Sequence, residues 1–151
     1  MIVIREAQRD DYSTIVRFQM EMAMETEGIL LQEPIVELGV KAVMNDNTKG
    51  LYYVAESGNK PVGSLLTTYE WSDWRNGQIL WIQSVYVEKE YRRMGVFKKM
   101  YEHIKAKTLD ERNNYRGIRL YVDKSNVAAI RVYEKLGMSN HHYETFEWMK
   151  S

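Results

Sequence analysis

The chain contains no cysteine. That absence excludes disulfides, thiol catalysis and cysteine metal sites, and leaves the compartment open. It also lacks an excess of either charge, because 21 basic residues face 21 acidic ones. A bulk polyanion such as DNA is therefore not implied as a partner, and any anion site has to be local. No apolar run approaches the roughly 18 residues of a membrane span. The opening MIVIREAQRDD carries charges too early for a signal peptide, so a cytoplasmic location is the default expectation. There is no linker, repeat or low-complexity stretch, and residues 1–151 are expected to form a single domain. Hydrophobic residues at 44% and charged residues at 28% place it in the soluble globular class.

What the chain does contain is a sequence of clear period changes. IVIRE (2–6) reads as a strand, and Asp10 or Asp11 offers an N-cap for a helix carrying Ile15, Phe18 and Met22 up to about Glu25. A second helix is expected from Pro34 to Asn45, with proline in its first turn where its missing N–H costs nothing. Strand patterns follow at 50–56, 61–71 and 78–87, joined by the turns SGNK and SDWRNG. A helix is predicted from Gly95 to about Glu111, a buried strand over 117–123, and a helix over 126–137 with Gly137 just past its end. HHYETFEWM (141–149) is read as a closing strand. The order is β-α-α-β-β-β-α-β-α-β, a mixed α/β layer.

Chemistry concentrates in EKEYRRMGVFKKMYEHIKAK (88–107), where Gly95 lies among Lys89, Arg92, Arg93, Lys98 and Lys99. A helix N-terminus has unpaired N–H groups and a positive dipole end, and it binds anions. Glycine lets an anion approach closely, and the arginines add charge-assisted hydrogen bonds. A strand–turn–helix of this kind reads as a pyrophosphate site or, more simply, as a glycine-softened loop with surface arginines. It is neither a P-loop nor a three-glycine dinucleotide fingerprint. A second stretch, VDKSNVAAIRVYEKLGM (122–138), aligns Asn126, Ala129 and Tyr133 along one helix face.

With both stretches in place, nearly the whole chain resembles the GNAT family of acyl-CoA-dependent N-acetyltransferases. The family's Arg/Gln-x-x-Gly-x-Gly/Ala signature reads here as Arg92, Arg93, Met94, Gly95, Val96 and Phe97, and its later signature as Asn126, Ala129, Tyr133, Gly137 and Met138. The resemblance implies a single-domain fold with a central mixed sheet of six or seven strands and about four helices. It implies an enzyme moving an acetyl group from acetyl-CoA to a primary amine, on a small molecule or a peptide, by direct attack in a ternary complex. The backbone of Val85, Tyr86 and Val87 would pair with the pantetheine arm. The N–H groups from Arg93 to Lys98 would cradle the pyrophosphate, and Asn126 and Ala129 would bind from the second signature. Tyr133 stands where the family places a general acid, and packing against the cofactor is its simpler role. Phe97 departs from the family's glycine or alanine and is expected to pack into the core with Tyr101 and Ile104.

The acceptor amine needs a general base. Glu25 is ranked first and Glu70 second, ahead of Glu27 and Asp73. Tyr69, Trp71, Trp74 and Trp81 form either an aromatic cage for a cationic amine or ordinary hairpin packing. His141 and His142 face opposite sides of their strand and imply no metal. Two other readings stand beside the enzyme: a non-catalytic acyl-CoA or partner-binding module on the same fold, and a nucleic-acid binder using the basic run. Acidic residues within that run and the balanced net charge argue against nucleic acid. No membrane partner is expected, and the last strand is a place where a homodimer could form.

Overall fold

The computed structural model describes all of residues 1–151, which divide into two compact units, Met1–Arg119 and Leu120–Ser151. The first unit holds β1 (Ile2–Glu6), α1 (Tyr12–Glu27), α2 (Glu33–Asn45), β2 (Leu51–Ser57), β3 (Lys60–Ser72), β4 (Gly77–Val87), α3 (Val96–Leu109) and β5 (Tyr115–Arg119). The second holds α4 (Val127–Lys135). No helix is long and apolar enough to cross a membrane.

The strands lie in sequence order, β1-β2-β3-β4-β5, in one sheet. The first three pairings are antiparallel and β4–β5 is parallel. The β2–β3 hairpin closes through Gly58 and Asn59, both at positive φ (54° and 65°), the backbone that matches the twist of paired strands.

Strand β2 shows why helices cover both faces. Its Tyr52 and Val54 join Leu66 of β3 against Ile15 and Val16 of α1 and Val40 of α2. Its Tyr53, on the opposite face by strand alternation, stacks edge-on to His103 of α3 at 5.5 Å. Helix α3 buries Val96, Met100, Tyr101 and Ile104 on that side. Buried on both faces, β2 reads as a continuous apolar run.

Near the start of α1, Arg5 grips Asp11 through two nitrogens at 2.7 and 3.0 Å and also reaches Glu56. Asp11 accepts the Gln8 N–H at 2.7 Å as well. This tie joins β1, β2 and the start of α1.

The expected elements from β1 to α4 are all present, β1 with its expected ends and the others with ends moved by at most four residues. Two expectations are corrected. The sheet has five strands rather than six or seven, and residues 141–149 form no strand. Alternation of side chains supplies two faces, but a strand also needs a hydrogen-bonded neighbour. The observed order therefore ends at α4, as β-α-α-β-β-β-α-β-α. The fifth strand occupies Tyr115–Arg119, earlier than the apolar run at 117–123 suggested.

Candidate functional site

Strand β4 is where the sheet opens. Its pairing with β5 covers only Gln78 to Trp81. From Ile82 to Val87, β4 has a strand neighbour only on its β3 side. Along that length the register with β3 shifts between Ser64 and Leu66, and Ser84 takes φ +53°. This is a bulge, which re-aims backbone groups. Glu88 N–H donates to Val62 O at 2.8 Å. Residues 62 and 88 are thus a hydrogen-bonded pair, and the backbone groups of Val87, one residue earlier, point to the open edge. Tyr86 pairs toward β3 opposite Ser64, and Ser84 and Val85 lie in the bulge, with no partner in the β3 register. The three positions expected to hold a pantetheine arm therefore divide. Val87 offers backbone to the open edge, Val85 lies in the bulge, and Tyr86 turns its side chain toward α1.

The chain then runs through a short 3-10 turn, Lys89–Tyr91, into the loop before α3. Arg93 and Gly95 both have positive φ, 64° and 75°. Gly95 caps α3, whose first internal bond runs from Lys99 N–H to Gly95 O at 3.1 Å. The first-turn N–H groups precede that bond and face outward at the positive dipole end. A Cβ built on Gly95 would meet no atom within 4 Å. The glycine is needed for its dihedral, and it leaves open space over the helix end. Met94 is exposed, as are Arg93 and Lys98.

Two side chains here differ from expectation. Phe97 is half-buried, its ring 6.4 Å from that of Tyr101, rather than a core residue. The stripe facing the sheet starts one residue earlier, with Val96, Met100 and Ile104. Arg92 bends back from the loop. Its Nε donates to Val87 O at 2.7 Å and its Nη2 to Glu25 Oε2 at 2.7 Å. Its guanidinium lies 5.5 Å from the Tyr86 ring centre.

Beside this edge lies a cavity of about 420 Å³ between α1 and the end of β4. Four carboxylates, Glu21, Glu25, Glu88 and Glu90, line it against two cations, Arg17 and Lys89. Met24 and Tyr86 supply its apolar wall. Tyr86 is buried, its ring 4.9 Å from that of Phe18, and its hydroxyl donates to Glu21 Oε2 at 2.6 Å. That hydrogen bond, helped by Arg17, holds the Glu21 carboxyl below its ordinary value. Burial, and then the same bond, raise the Tyr86 hydroxyl. Arg17 also binds the buried Glu88 at 2.7 Å. Glu25 lies 3.5 Å from the Tyr86 hydroxyl and 3.9 Å from Lys89 Nζ.

Glu70 stands elsewhere. It accepts from Trp81 Nε1 at 2.8 Å and from Arg119 Nη1 at 2.9 and 2.8 Å. The indole bond first, and then Arg119, lower its carboxyl. It lies opposite Ile79, six residues before Val85 and so roughly 20 Å away along β4. The structure does not bring Glu25 and Glu70 together. Nor does it build an aromatic cage: Trp74 is 89% exposed at the hairpin loop, Trp71 is 57% exposed, and Trp81 is turned to Glu70. Asp73 accepts the adjacent Trp74 N–H, and Glu27 ends α1 in an exposed position.

In the second unit, Asn126 caps α4, its Oδ1 accepting from Ala129 N–H at 3.2 Å. The helix ends in a Schellman motif, with Gly137 at φ +88°, Gly137 N–H on Glu134 O and Met138 N–H on Tyr133 O, both at 3.0 Å. Much of the later signature is thus a helix with both ends capped. Desolvation raises the Tyr133 hydroxyl.

The sequence reading missed Glu21, Arg17 and the Tyr86 side chain. A signal was present. Arg17, Glu21 and Glu25 recur every four residues on one helix face, and the alternation of β4 turns Tyr86 toward it.

Known proteins resemble this chain in sequence and in fold. The model of the acetyltransferase (GNAT) family matches residues 7–138. Thialysine N-epsilon-acetyltransferase of Bos taurus is 30% identical over 145 residues, covering 90% of this chain and 83% of the bovine protein. The crystal structure of a possible acetyltransferase from Clostridium difficile 630 is 46% identical. It covers 100% of this chain and 99% of its own, with a TM-score of 0.92. A predicted acetyltransferase from Clostridium acetobutylicum, crystallised with acetyl-CoA, shares the fold at 22% identity and a TM-score of 0.74, covering 100% of this chain and 96% of its own.

Proposed function

The chain belongs to the GNAT acetyltransferase family and is an N-acetyltransferase, and from that premise we propose that it moves an acetyl group from acetyl-CoA to a small cationic primary amine, by direct attack in a ternary complex. One observation carries this reading. An open stretch of strand edge ends within a few residues of a glycine-capped helix N-terminus. An arm with amide groups pairs with the first, and a pyrophosphate sits on the second. The open space over Gly95 is where a phosphate would lie.

In this reading, Val85 and Val87 hold the pantetheine arm by backbone hydrogen bonds, and an edge N–H polarises the thioester carbonyl. The backbone from Arg93 through Met94, Gly95, Val96 and Phe97 to Lys98 forms the pyrophosphate cradle. Asn126, Ala129 and Tyr133 carry their cofactor roles on the strength of the family signature. The family match includes residues of both units, which supports reading 1–151 as one N-acetyltransferase domain.

The acceptor enters the carboxylate-lined cavity, where Glu21, Glu25, Glu88 and Glu90 offer acceptor oxygens to an ammonium alongside the cations Arg17, Lys60, Lys89 and Arg92 that already pair with three of them. The bovine relative's name, with a lysine-like acceptor, is in keeping with that. The amine sheds a proton to a cavity carboxylate, directly or through a water. Its nitrogen attacks the carbonyl carbon, the carbon–sulfur bond breaks, and the thiolate takes up a proton. On the strength of the family signature, Tyr133 takes the role of hydrogen-bond donor to the departing sulfur, and desolvation, which raises its hydroxyl, keeps it protonated. Of the two carboxylates singled out in the sequence, Glu25 lines this cavity and Glu70 does not.

Calorimetric titration with acetyl-CoA tests the site. The wild type should bind in the low-micromolar to sub-millimolar range, and Gly95→Glu should abolish binding. That substitution fills the space over the helix end and strains a left-handed backbone. Retained affinity in a folded Gly95→Glu variant would refute the cradle. A screen of amines for released thiol then identifies the acceptor.

A further inference from the structure

We propose that Glu25 is a positioning residue for the cofactor strand, holding Arg92 against the carbonyl of Val87. The proposal rests on the site described above and gives Glu25 a task other than proton removal. Val87 O belongs to the open edge of β4, where no strand supplies it with a donor. Arg92 Nε supplies one at 2.7 Å. Folding a long arginine back onto its own strand end costs rotamer entropy, which further contacts to the guanidinium offset. Glu25 Oε2 holds its Nη2 at 2.7 Å, and the Tyr86 ring supports the guanidinium face at 5.5 Å. Both hydrogen bonds are charge-assisted and short.

The consequence is register. With Val87 O taken by Arg92, an incoming pantetheine arm finds the Val85 groups and the Val87 N–H. An arm displaced by one pairing step would have to evict the guanidinium. Glu25 also sits in the last turn of α1, so the contact ties the helix bordering the acceptor cavity to the strand bordering the cofactor. Both of its oxygens already face cations, Arg92 at 2.7 Å and Lys89 at 3.9 Å. Accepting a proton from the amine would mean releasing Arg92 from the edge.

The test is a pair of variants read by calorimetry and by kinetics. Glu25→Gln keeps the shape and removes the charge. It should raise the acetyl-CoA Kd fivefold or more, while the ascending limb of the kcat–pH profile at saturating acetyl-CoA stays in place. Arg92→Met should weaken binding at least as much. The double variant should bind no worse than Arg92→Met alone, because the two residues act as one unit. Glu25→Gln with the wild-type Kd overturns the role, as does a lost ascending limb, which would mark Glu25 as the base. Losses that add in the double variant also count against it. A wild type that binds no acetyl-CoA refutes the site itself and the role with it.

Discussion

Tyr133 is one hydroxyl with one task in the proposed reaction. Desolvation raises it, so it stays protonated across the working pH range and can donate but not accept a proton. A thiolate is a weaker base than a phenolate, so the hydroxyl stabilises the departing sulfur without needing to give its proton up. Losing a hydrogen bond of about 1.4 kcal/mol in the transition state is a tenfold loss of rate. Tyr133→Phe should therefore lower kcat about tenfold with the acetyl-CoA Kd nearly unchanged. Stopped thiol release and calorimetry on the same preparation check both numbers. A Kd that rises in step with the loss of kcat would instead make the residue a packing surface for the cofactor. Gly95 and Gly137 were legible at this scale because positive φ is a requirement that sequence spells as glycine. Arg92 was legible as a cation but not as a contact. Its partners, Glu25 and Val87 O, come from sixty-seven and five residues away.

At the scale of elements, period and packing decide what can be read. Helices α1, α2 and α3 and strands β2, β3 and β4 follow from their apolar periods and turn residues. The face of α3 did not, because the spacings 97/101/104 and 96/100/104 both fit a helical stripe. Only the sheet beneath selects the second. Ile104 and Met100 are fully buried, whereas Phe97 is half-buried. Ile104→Ala should cost about 2–5 kcal/mol through lost transfer energy and a residual cavity. Phe97→Ala should cost about 1 kcal/mol, since a half-exposed ring buries less area. Denaturant titration of the two variants measures the contrast. Equal losses would mean that Phe97 carries core packing after all. The ends of the fifth strand and the absence of the closing strand were beyond reach for a related reason. A strand exists only with its neighbour, and a short apolar run does not name that neighbour.

At the scale of the whole molecule, carboxylates set the response to acid. Asp11 is buried, and burial alone would raise it. The Arg5 hydrogen bond, the Gln8 N–H and the Arg5 charge outweigh that and hold it below its ordinary value. Glu21 and Glu70 are lowered too, by Tyr86 and Trp81 respectively with help from arginines. A group lowered by folding binds its proton more readily in the unfolded chain. Its contribution is complete above the unfolded value, near pH 4, and is lost as pH falls through the folded value. The melting temperature should thus be steady from pH 7 to about pH 5 and fall steeply below about pH 4. Asp11→Asn isolates one share of that fall. At pH 7 the variant removes one of the two carboxylate partners of a part-buried arginine and should melt below the wild type. Below the ordinary aspartate value the unfolded chain takes up the proton first and the folded carboxylate follows at lower pH, so the gap between the two should narrow as the solution is acidified. Melting curves of both proteins between pH 7 and pH 3 measure that gap. A gap that stays constant would mean that Asp11 contributes through shape and hydrogen bonding rather than through its charge.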